Sequence, residues 1–465
     1  MLDVRPAALL EQEAQGLLTR LDQVRPFVLH ETMVLAAALP YPALQRIERF
    51  LHGGRVRLRG KVHGYLHWLA GPGRAADPAE QQRRFVLIRM RFNDVLAQFD
   101  LFTEVVTQRS EHRTGVWLSG LDVLAADALR VDRELDRLGA TGVPVVCYLA
   151  RGPGAAIRRA RTRLPGDVPN PVAIIRVPRE RMVGSGLASS LVHEVGHQAA
   201  AALGLAESLR AEIARARLAE PDGCWATFES WISEIVADCW SVGTLGLTAT
   251  VGLLAVVSLP AYFVFRPSGG DPHPTPYLRV LISAALGEAL YPSPQWTFMR
   301  RIWKRMYPTD SLPAARRAEL ARVEAAIPDL VGLMLNHRTP TLAGRALGEV
   351  WPAGQRHPDR LLELHHRWGG NTAVLARQPP SLVFAVVGQA KSAGLISPVT
   401  ESRLLSELLQ LWAVRSSLDV IQRSPQERKA PCRFHGPQIR SERARWPGSG
   451  SFSTTPTSPV TGSSR

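Results

Sequence analysis

The sequence predicts a mainly α-helical protein with a small β-sheet, an α+β arrangement, on three observations. Apolar residues recur at helical spacing through most of residues 1–140 and again through residues 312–422. Only two runs, at 143–150 and 170–178, have the dense apolar composition of buried strands. Hydrophobic residues make up 45% and charged residues 21% of the 465 residues, a balance that is typical of a globular chain and excludes wholesale disorder.

Residues 1–140 are predicted to form a helical N-terminal region. Segments near 79–108 and 117–138 are amphipathic, with apolar side chains every three to four residues. Residues 55–68 differ, because apolar and cationic residues alternate there as in a strand. We expect this basic segment to be the solvent-exposed face of a surface element.

Residues 141–310 are predicted to form the region that carries the chemistry. An Arg- and Pro-rich loop separates the two strand-like runs. A helix is predicted to begin at Ser185 and Gly186 and to end at Gly204, because glycine is favoured just after the C-terminus of a helix. A second helix is predicted over about 226–242.

The uncharged stretch at 242–265 allows two interpretations. It is long enough to cross a bilayer, for which about 20 residues suffice. However, it contains three glycines, three threonines, Ser258 and Pro260, which lower its mean hydropathy. We expect a buried core segment, and a transmembrane helix is the alternative.

The rest of the chain is predicted to be a helical C-terminal region followed by a tail. Residues 311–422 have helical periodicity, with Pro and Gly breaks near 339–344, 369–371 and 379–380. Residues 423–465 are rich in Ser, Thr, Pro, Gly and Arg and lack periodicity, so we expect a disordered basic tail.

The charge and the cysteines limit the class of protein. The net charge is +15, but 52 of the 56 cations are Arg, and +6 of the excess belongs to residues 423–465. The remaining excess is spread widely, so we expect no specific nucleic-acid partner. Four cysteines without a C-x-x-C pair form neither a disulfide framework nor a cysteine zinc site, and no signal-like apolar run begins the sequence. The expected location is therefore the cytoplasm.

Residues 193–197 form an H-E-x-x-H motif inside a helical pattern. Because a helix has 3.6 residues per turn, His193 and His197 project from one face, one turn apart, and can hold one metal ion. Glu194 lies beside them, where it can reach a water on the metal rather than the metal itself. The spacing therefore predicts a zinc site with Glu194 as a candidate catalytic residue.

A catalytic zinc needs a third protein ligand, and the candidate is Glu234. Glu234 lies 37 residues after His197, on a predicted helix that also carries Asp238 four residues later. Asp238 can therefore accept an N–H from a ligating imidazole and fix its tautomer. Glu229 is a rival, but it falls off that helix face and has no matching Asp.

These motifs resemble the gluzincin metallopeptidases, the thermolysin-like group of zincins. The segment at 271–279, DPHPTPYLR, is similar to the His-Pro…Arg segment in the membrane-protease branch of that group, and the resemblance covers about residues 170–285. It implies a zincin-like catalytic core with one zinc ion per chain. The residues implied are the zinc ligands His193, His197 and Glu234, the catalytic residue Glu194, the supporting residue Asp238, and His273 and Arg279 near the active-site cleft. For His273 and Arg279 the alternative is a Pro-rich turn held by a local salt bridge to Asp271.

The expected function is a zinc metalloendopeptidase acting on a peptide or protein substrate. Glu194 would act as general base, and His273, Tyr262, Tyr277 or Arg279 would stabilise the oxyanion. As in gluzincins, the strand at 170–178 would pair with an extended substrate. Two alternatives stay open: a membrane-attached protease anchored by 242–265, and a catalytically silent zincin-like scaffold or anion-binding protein.

Overall fold

A computed structural model describes most of the chain and divides it into two compact units, Met1–Asp419 and Val420–Arg465. The described residues are 6–24, 33–132, 135, 142–151, 155–164, 168–178, 184–221, 223–267 and 269–427. The protein is mainly helical with a small sheet, which confirms the predicted fold class. The predicted division into regions 1–140, 141–310, 311–422 and 423–465 stays a prediction.

The N-terminal helices confirm the predicted helical character of that region. They are α1 (Pro6–Gln23), α2 (Tyr41–Ala70), α3 (Pro78–Thr107) and α4 (His112–Leu129). The strand-like interpretation of residues 55–68 is wrong, because these residues lie inside α2. Leu58, Val62 and Tyr65 are buried at helical spacing against α1 and α3, while Val56 is 55% exposed. The predicted helix at 117–138 ends at Leu129, and residues 133–134 and 136–138 lie outside the described residues.

Two small sheets follow, and both predicted strands are confirmed. The strands are β1 (Val145–Ala150), β2 (Ala156–Arg158), β3 (Arg163–Leu164), β4 (Val168–Pro169) and β5 (Ala173–Pro178). The three-stranded sheet has the order β1-β5-β2, with β1 parallel and β2 antiparallel to β5. The central strand β5 is buried along most of its length, which explains its nearly continuous apolar sequence.

The next helices bear the motif residues. They are α5 (Ser185–Leu203), α6 (Leu205–Ala219), α7 (Trp225–Leu245), α8 (Leu247–Val257), α9 (Ala261–Val264), α10 (Pro276–Leu290) and α11 (Pro294–Met306). The two helices predicted near 185–204 and 226–242 are thus confirmed as α5 and α7. Helix α5 ends as predicted, because Gly204 takes the left-handed conformation with φ +63°.

The uncharged stretch at 242–265 is not one continuous helix. Gly246, with φ +61°, separates α7 from α8, and residues 258–260 separate α8 from α9. Residues 242–250 are buried in the core, as expected, but residues 258–263 are exposed. Among the described helices, none combines the length and the apolar character that a membrane crossing needs.

The C-terminal helices have the predicted breaks between them. They are α12 (Ala314–Ala325), α13 (Ile327–Asn336), α14 (Pro358–Trp368), α15 (Thr372–Leu375), α16 (Pro380–Ser392) and α17 (Pro398–Glu427). Because α17 continues to Glu427, residues 423–427 of the predicted disordered tail are helical instead. Residues 428–465 of that tail lie outside the described residues.

Candidate metal centre and active site

Helices α5 and α7 bring three metal-ligand side chains together. His193 and His197 project from α5, and Glu234 projects from α7. One ligand atom from each lies within 4.8 Å of the other two. Glu234 Oε2 lies 3.2 Å from His193 Nε2, and Glu234 Oε1 lies 3.3 Å from His197 Nε2. Residues 37 positions apart in the sequence therefore meet, as the motif spacing predicts.

A glycine in the motif allows the two helices to approach this closely. A methyl group at Gly196 would lie 2.8 Å from the carbonyl oxygen of Ala237 and 2.9 Å from Trp240 Cβ. These are distances that carbon atoms do not normally reach, so only glycine fits between α5 and α7. The backbone of α7 consequently lies directly against the turn of α5 that bears both histidines.

The N-terminus of α5 is held from the far end of the chain. Its N-cap residue Gly184 has no side chain to cap the helix, and the Ser185 N–H instead donates to Glu401 Oε1 at 3.1 Å. Glu401 is buried and also pairs with Lys391 Nζ at 3.1 Å. Helices α16 and α17 therefore fix the position of the motif helix.

The donor set fits a zinc ion. Two imidazole nitrogens and one carboxylate oxygen are the ligands of many catalytic zinc sites. Glu234 Oε2 is buried and accepts no hydrogen bond of regular geometry, although nitrogens of His193, His273 and Arg279 lie 3.2, 3.4 and 3.6 Å away. A buried carboxylate oxygen without a hydrogen bond is costly unless a cation neutralises it. The three donors would therefore hold a metal ion.

Asp238 supports both the ligand set and a neighbouring cation. Asp238 Oδ1 lies 2.8 Å from His193 Nδ1 and accepts a hydrogen bond from Arg279 Nη2 at 2.9 Å. Asp238 Oδ2 accepts a hydrogen bond from Arg279 Nε at 2.7 Å. The contact at Nδ1 sets the tautomer of His193 so that Nε2 faces Glu234. Asp238 thus lies where the motif spacing predicts.

The site is electrostatically coupled. Burial by itself lowers the pKa of His193, but the carboxylates of Asp238 and Glu234 outweigh burial and raise that pKa to about 9. Burial raises the pKa of Asp238, but Arg279 and His193 outweigh it and lower that pKa to about 2. The pKa of Glu234 is lowered for the same reason, by His193 and His197 against burial. In the metal-free protein, these carboxylates therefore favour the protonated form of His193.

A cavity of about 170 Å³ opens on this cluster. Glu194, which is 8% exposed, lines it together with His193, Asp238, His273 and Arg279. An apolar part of the lining, the apolar wall, comes from α8 through Ala249, Leu253 and Val256. A carboxylate beside the candidate metal ligands therefore lines a cavity that has both polar and apolar surface.

The structure separates the roles of His273 and Arg279. Asp271 Oδ1 lies 2.6 Å from His273 Nδ1, so a local pair does hold the turn. His273 Nε2 nevertheless points to the site, 3.4 Å from Glu234 Oε2. Arg279 instead pairs with Asp238, 41 residues away, so the local-turn alternative is wrong for Arg279. Asp271, which the sequence predicts only as the partner of a local salt bridge, therefore also holds a ring that faces the candidate site.

Other candidates lie outside the cavity. Tyr277 is buried and packs on Phe265 at 5.1 Å between ring centroids, and the exposed Tyr262 is not part of the cavity wall. Glu229 pairs with Arg217 at 3.0 Å and is not among the clustered donors.

The expectation that strand 170–178 pairs with substrate is also wrong. Both edges of β5 are occupied, because β1 pairs with 173–178 and β2 pairs with 174–176. Among the described residues, no further strand pairs with the outer edge of β2. Ala155, directly before β2, lines the cavity, so the open sheet edge nearest the site belongs to β2.

The sequence also gave no reason to single out the apolar wall. Its members Ala249, Leu253 and Val256 recur at the i, i+4, i+7 spacing of one helix face, which is a signal only once α8 is known to line the same cavity as the candidate site residues.

The resemblance to gluzincins stays a prediction that rests on residues 193–197, 234–238 and 271–279. Comparison with protein-family models, with curated proteins and with solved structures finds no match to this chain.

Proposed function

We propose that this protein is a zinc-dependent metallopeptidase. The observation that carries the proposal is the convergence of His193, His197 and Glu234, whose ligand atoms lie within 4.8 Å of one another beside a cavity that Glu194 also lines. Two imidazoles, a carboxylate and a further free carboxylate are the side chains that metal-assisted hydrolysis requires. Zinc, when bound there, supplies a positive charge that acidifies water and polarises a carbonyl group.

Glu194 is the general base in this proposal. Its carboxylate is almost completely shielded from solvent but faces the cavity, where it can accept a proton from the attacking water. The same carboxylate then donates that proton to the leaving amine nitrogen. A peptide bond is the substrate class that uses both transfers, since its amine leaves only when protonated.

Arg279 and His273 are the candidate donors to the oxyanion. Both line the cavity, and Arg279 carries its positive charge at every physiological pH. Asp271 Oδ1 lies 2.6 Å from His273 Nδ1, which leaves His273 Nε2 as the ring nitrogen that faces the site. Arg279 is the donor with a permanent charge, and Asp238 holds it by two hydrogen bonds.

An extended substrate would lie along the outer edge of β2. Main-chain hydrogen bonds to that edge would provide affinity without selecting side chains. Ala155, directly before this strand, lines the cavity, so a chain paired with β2 would pass the candidate metal ligands.

The described cysteines, Cys147, Cys224 and Cys239, are unpaired thiols, which fits a reducing compartment such as the cytoplasm.

The test compares three variants of the purified protein. Glu234→Ala is expected to lose most of its zinc, whereas Glu194→Gln is expected to keep it and to lose peptide-bond cleavage by about 10³-fold or more, because the general base is removed. Glu229→Gln is the matched control on the same helix and should change neither property. Metal analysis and a profile of peptides cleaved from a cell extract provide the two measurements. Folded wild-type protein without zinc, or a fully active Glu194→Gln variant, would refute the proposal.

A further inference from the structure

An exposed apolar segment lies immediately after the apolar wall of the cavity. Residues 259–263, Leu-Pro-Ala-Tyr-Phe, are all exposed, and we name them the apolar segment. Leu259 is 44%, Tyr262 81% and Phe263 46% exposed. Five consecutive exposed apolar residues are unusual on a folded protein unless they contact something.

The apolar segment is held in place at both ends. The Tyr307 hydroxyl donates to the Leu259 carbonyl oxygen at 2.9 Å. Phe265 is buried, and the Arg316 guanidinium donates to its carbonyl oxygen at 3.0 and 3.1 Å. A segment held in this way does not fold its side chains into the core, so their exposure is built into the fold.

Both ends of the segment join walls of the catalytic cavity. Val256, three residues before Leu259, lines the cavity from α8. Beyond the segment, the Thr275 hydroxyl donates to the Arg266 carbonyl oxygen at 3.3 Å, two residues after the cavity-lining His273. Three residues span at most about 11 Å, and an extended peptide advances about 3.3 Å per residue. An extended peptide that lies against Val256 therefore needs about three to four residues to reach Leu259, and more to reach Tyr262 and Phe263.

The charges favour an uncharged, apolar contact. No charged residue occurs between Asp238 and Arg266, and Arg266 itself is paired with Asp271 at 2.8 Å. The segment therefore provides apolar area, and the two cations at its C-terminal end are both paired, Arg266 with Asp271 and Arg316 with Glu319 at 2.8 Å. Apolar side chains of an extended polypeptide match this surface in charge and in reach.

We propose that the apolar segment binds apolar side chains of the substrate outside the cavity, about three or more residues beyond the part of the peptide that lies against Val256. This inference rests on the proposed peptidase function and names its substrate class: extended polypeptides with exposed large apolar residues, as in unfolded proteins. Leu259, Tyr262 and Phe263 are the specificity-determining residues. Short peptides that do not reach them bind through the cavity alone.

The experiment measures peptide binding separately from cleavage. The zinc-loaded Glu194→Gln protein is titrated with two fluorescein-labelled 14-residue peptides that share a central sequence and carry either Leu and Phe or Ser and Gln at the outer positions. We expect the apolar peptide to bind at least tenfold more tightly. Adding Tyr262→Ser and Phe263→Ser should abolish that difference. Leu87→Ser with Met90→Ser is the matched control, because these α3 residues are 60% and 59% exposed and line another cavity.

The outcomes separate this inference from the proposed function. Loss of the preference only in the Tyr262/Phe263 variant supports the inference, even if the wild-type protein cleaves neither peptide and the peptidase proposal fails. Cleavage by the wild-type protein with an unchanged preference in that variant overturns the inference and leaves the peptidase proposal standing. Two further results would overturn the inference if the peptide preference does not depend on Tyr262 and Phe263. Sedimentation with phosphatidylglycerol vesicles that requires these two residues would indicate a lipid surface as the occupant. A dimer that requires them would indicate a second copy of the chain.

Discussion

At the scale of single residues, one carboxylate organises most of the candidate site. Asp238 is 6% exposed and contacts His193 Nδ1 on one side and the Arg279 guanidinium on the other. A buried charge is tolerated only when it is paired and fully hydrogen-bonded. Removing the Asp238 charge would therefore leave Arg279 buried without its main partner and His193 without its orienting group.

We expect Asp238→Asn to affect both stability and metal affinity. Loss of one partner of a buried ion pair costs about 3–5 kcal/mol, and loss of a group that orients a metal ligand lowers affinity about 10–100-fold. Denaturant unfolding and competition for zinc with a chromophoric chelator measure the two effects. Asp271→Asn is the control for stability, since Asp271 is more exposed and pairs at the surface. Equal unfolding free energies for Asp238→Asn and wild type would contradict the role given to Asp238.

The raised pKa of His193 predicts how the stability of the metal-free protein depends on pH. Because its folded pKa of about 9 exceeds the ordinary 6.5, its stabilising contribution is complete below pH 6.5 and is lost as pH rises through 9. At about 1.4 kcal/mol per pKa unit, the loss is about 3 kcal/mol. The lowered pKa of Asp238 acts at the opposite end, where its contribution is lost as pH falls through about 2. Denaturant unfolding at several pH values, with a chelator present to remove metal, measures this dependence. The His193→Asn variant should lose the decrease in unfolding free energy between pH 6.5 and 9. Zinc affinity should instead rise with pH, since zinc binds the neutral imidazole.

At the scale of secondary-structure elements, the site depends on how closely α5 and α7 pack. Gly196 lies in the motif between His193 and His197, at a point where the α7 backbone leaves no room for a Cβ atom. A larger side chain would separate the helices and move Glu234 away from the imidazoles. A Cβ atom added at Gly186 on the same helix would meet no atom within 4 Å, so the two glycines provide a matched pair.

We expect Gly196→Ala and Gly186→Ala to have opposite effects. The extra methyl group at position 196 clashes with the α7 backbone and should cost about 1–3 kcal/mol and weaken zinc binding. At position 186, alanine meets no atom within 4 Å and should be neutral or stabilising by up to about 1 kcal/mol. Thermal unfolding and zinc titration of both variants provide the comparison. Identical zinc affinity in both would show that helix separation does not control the site.

At the scale of the whole molecule, one hydrophobic cluster links α5 and α7, which bear the candidate metal ligands, to the C-terminal helices. It extends from Trp117 to Trp412 and includes residues of α5, α7, α14 and α16. Polar contacts also join the C-terminal region to α4 and the residues after it, such as Arg345 with Asp132 at 3.0 Å and the Ser381 N–H with Asp127 at 2.8 Å. The helices that bear the ligands therefore depend on segments distant in sequence for their packing.

We expect residues 141–310 by themselves not to form a stable metal site. Removing residues 311–422 uncovers the apolar faces of α7 and α8 and takes away Glu401, which caps α5. Circular dichroism and limited proteolysis of the chain truncated to residues 141–310 should show a loosely packed state. Zinc titration of the same chain should show an affinity lowered at least 100-fold, because metal binding would then have to order the helices. A cooperative thermal transition with wild-type zinc affinity would show that this segment folds autonomously.

The elements with strong periodicity could be predicted, and those without it could not. Strands β1 and β5 and helices α5 and α7 follow directly from apolar pattern and glycine placement. Residues 55–68 were misassigned because alternating Arg and apolar residues fit both periods over a short window. Burial of Leu58, Val62 and Tyr65 against neighbouring helices selects the helical period, and that contact is not visible in a local pattern.

The sequence by itself determined which candidate metal donors share a helix face, because H-E-x-x-H and E-x-x-x-D place their side chains on single faces through local geometry alone. Tertiary structure decided what surrounds those donors: the pairing of Arg279 with Asp238, the capping of α5 by Glu401, the burial of β5 between two strands and the exposure of residues 259–263. The physical reason is that helix periodicity is set by neighbours three and four residues apart. Ion pairs and burial, by contrast, depend on which distant segments pack together.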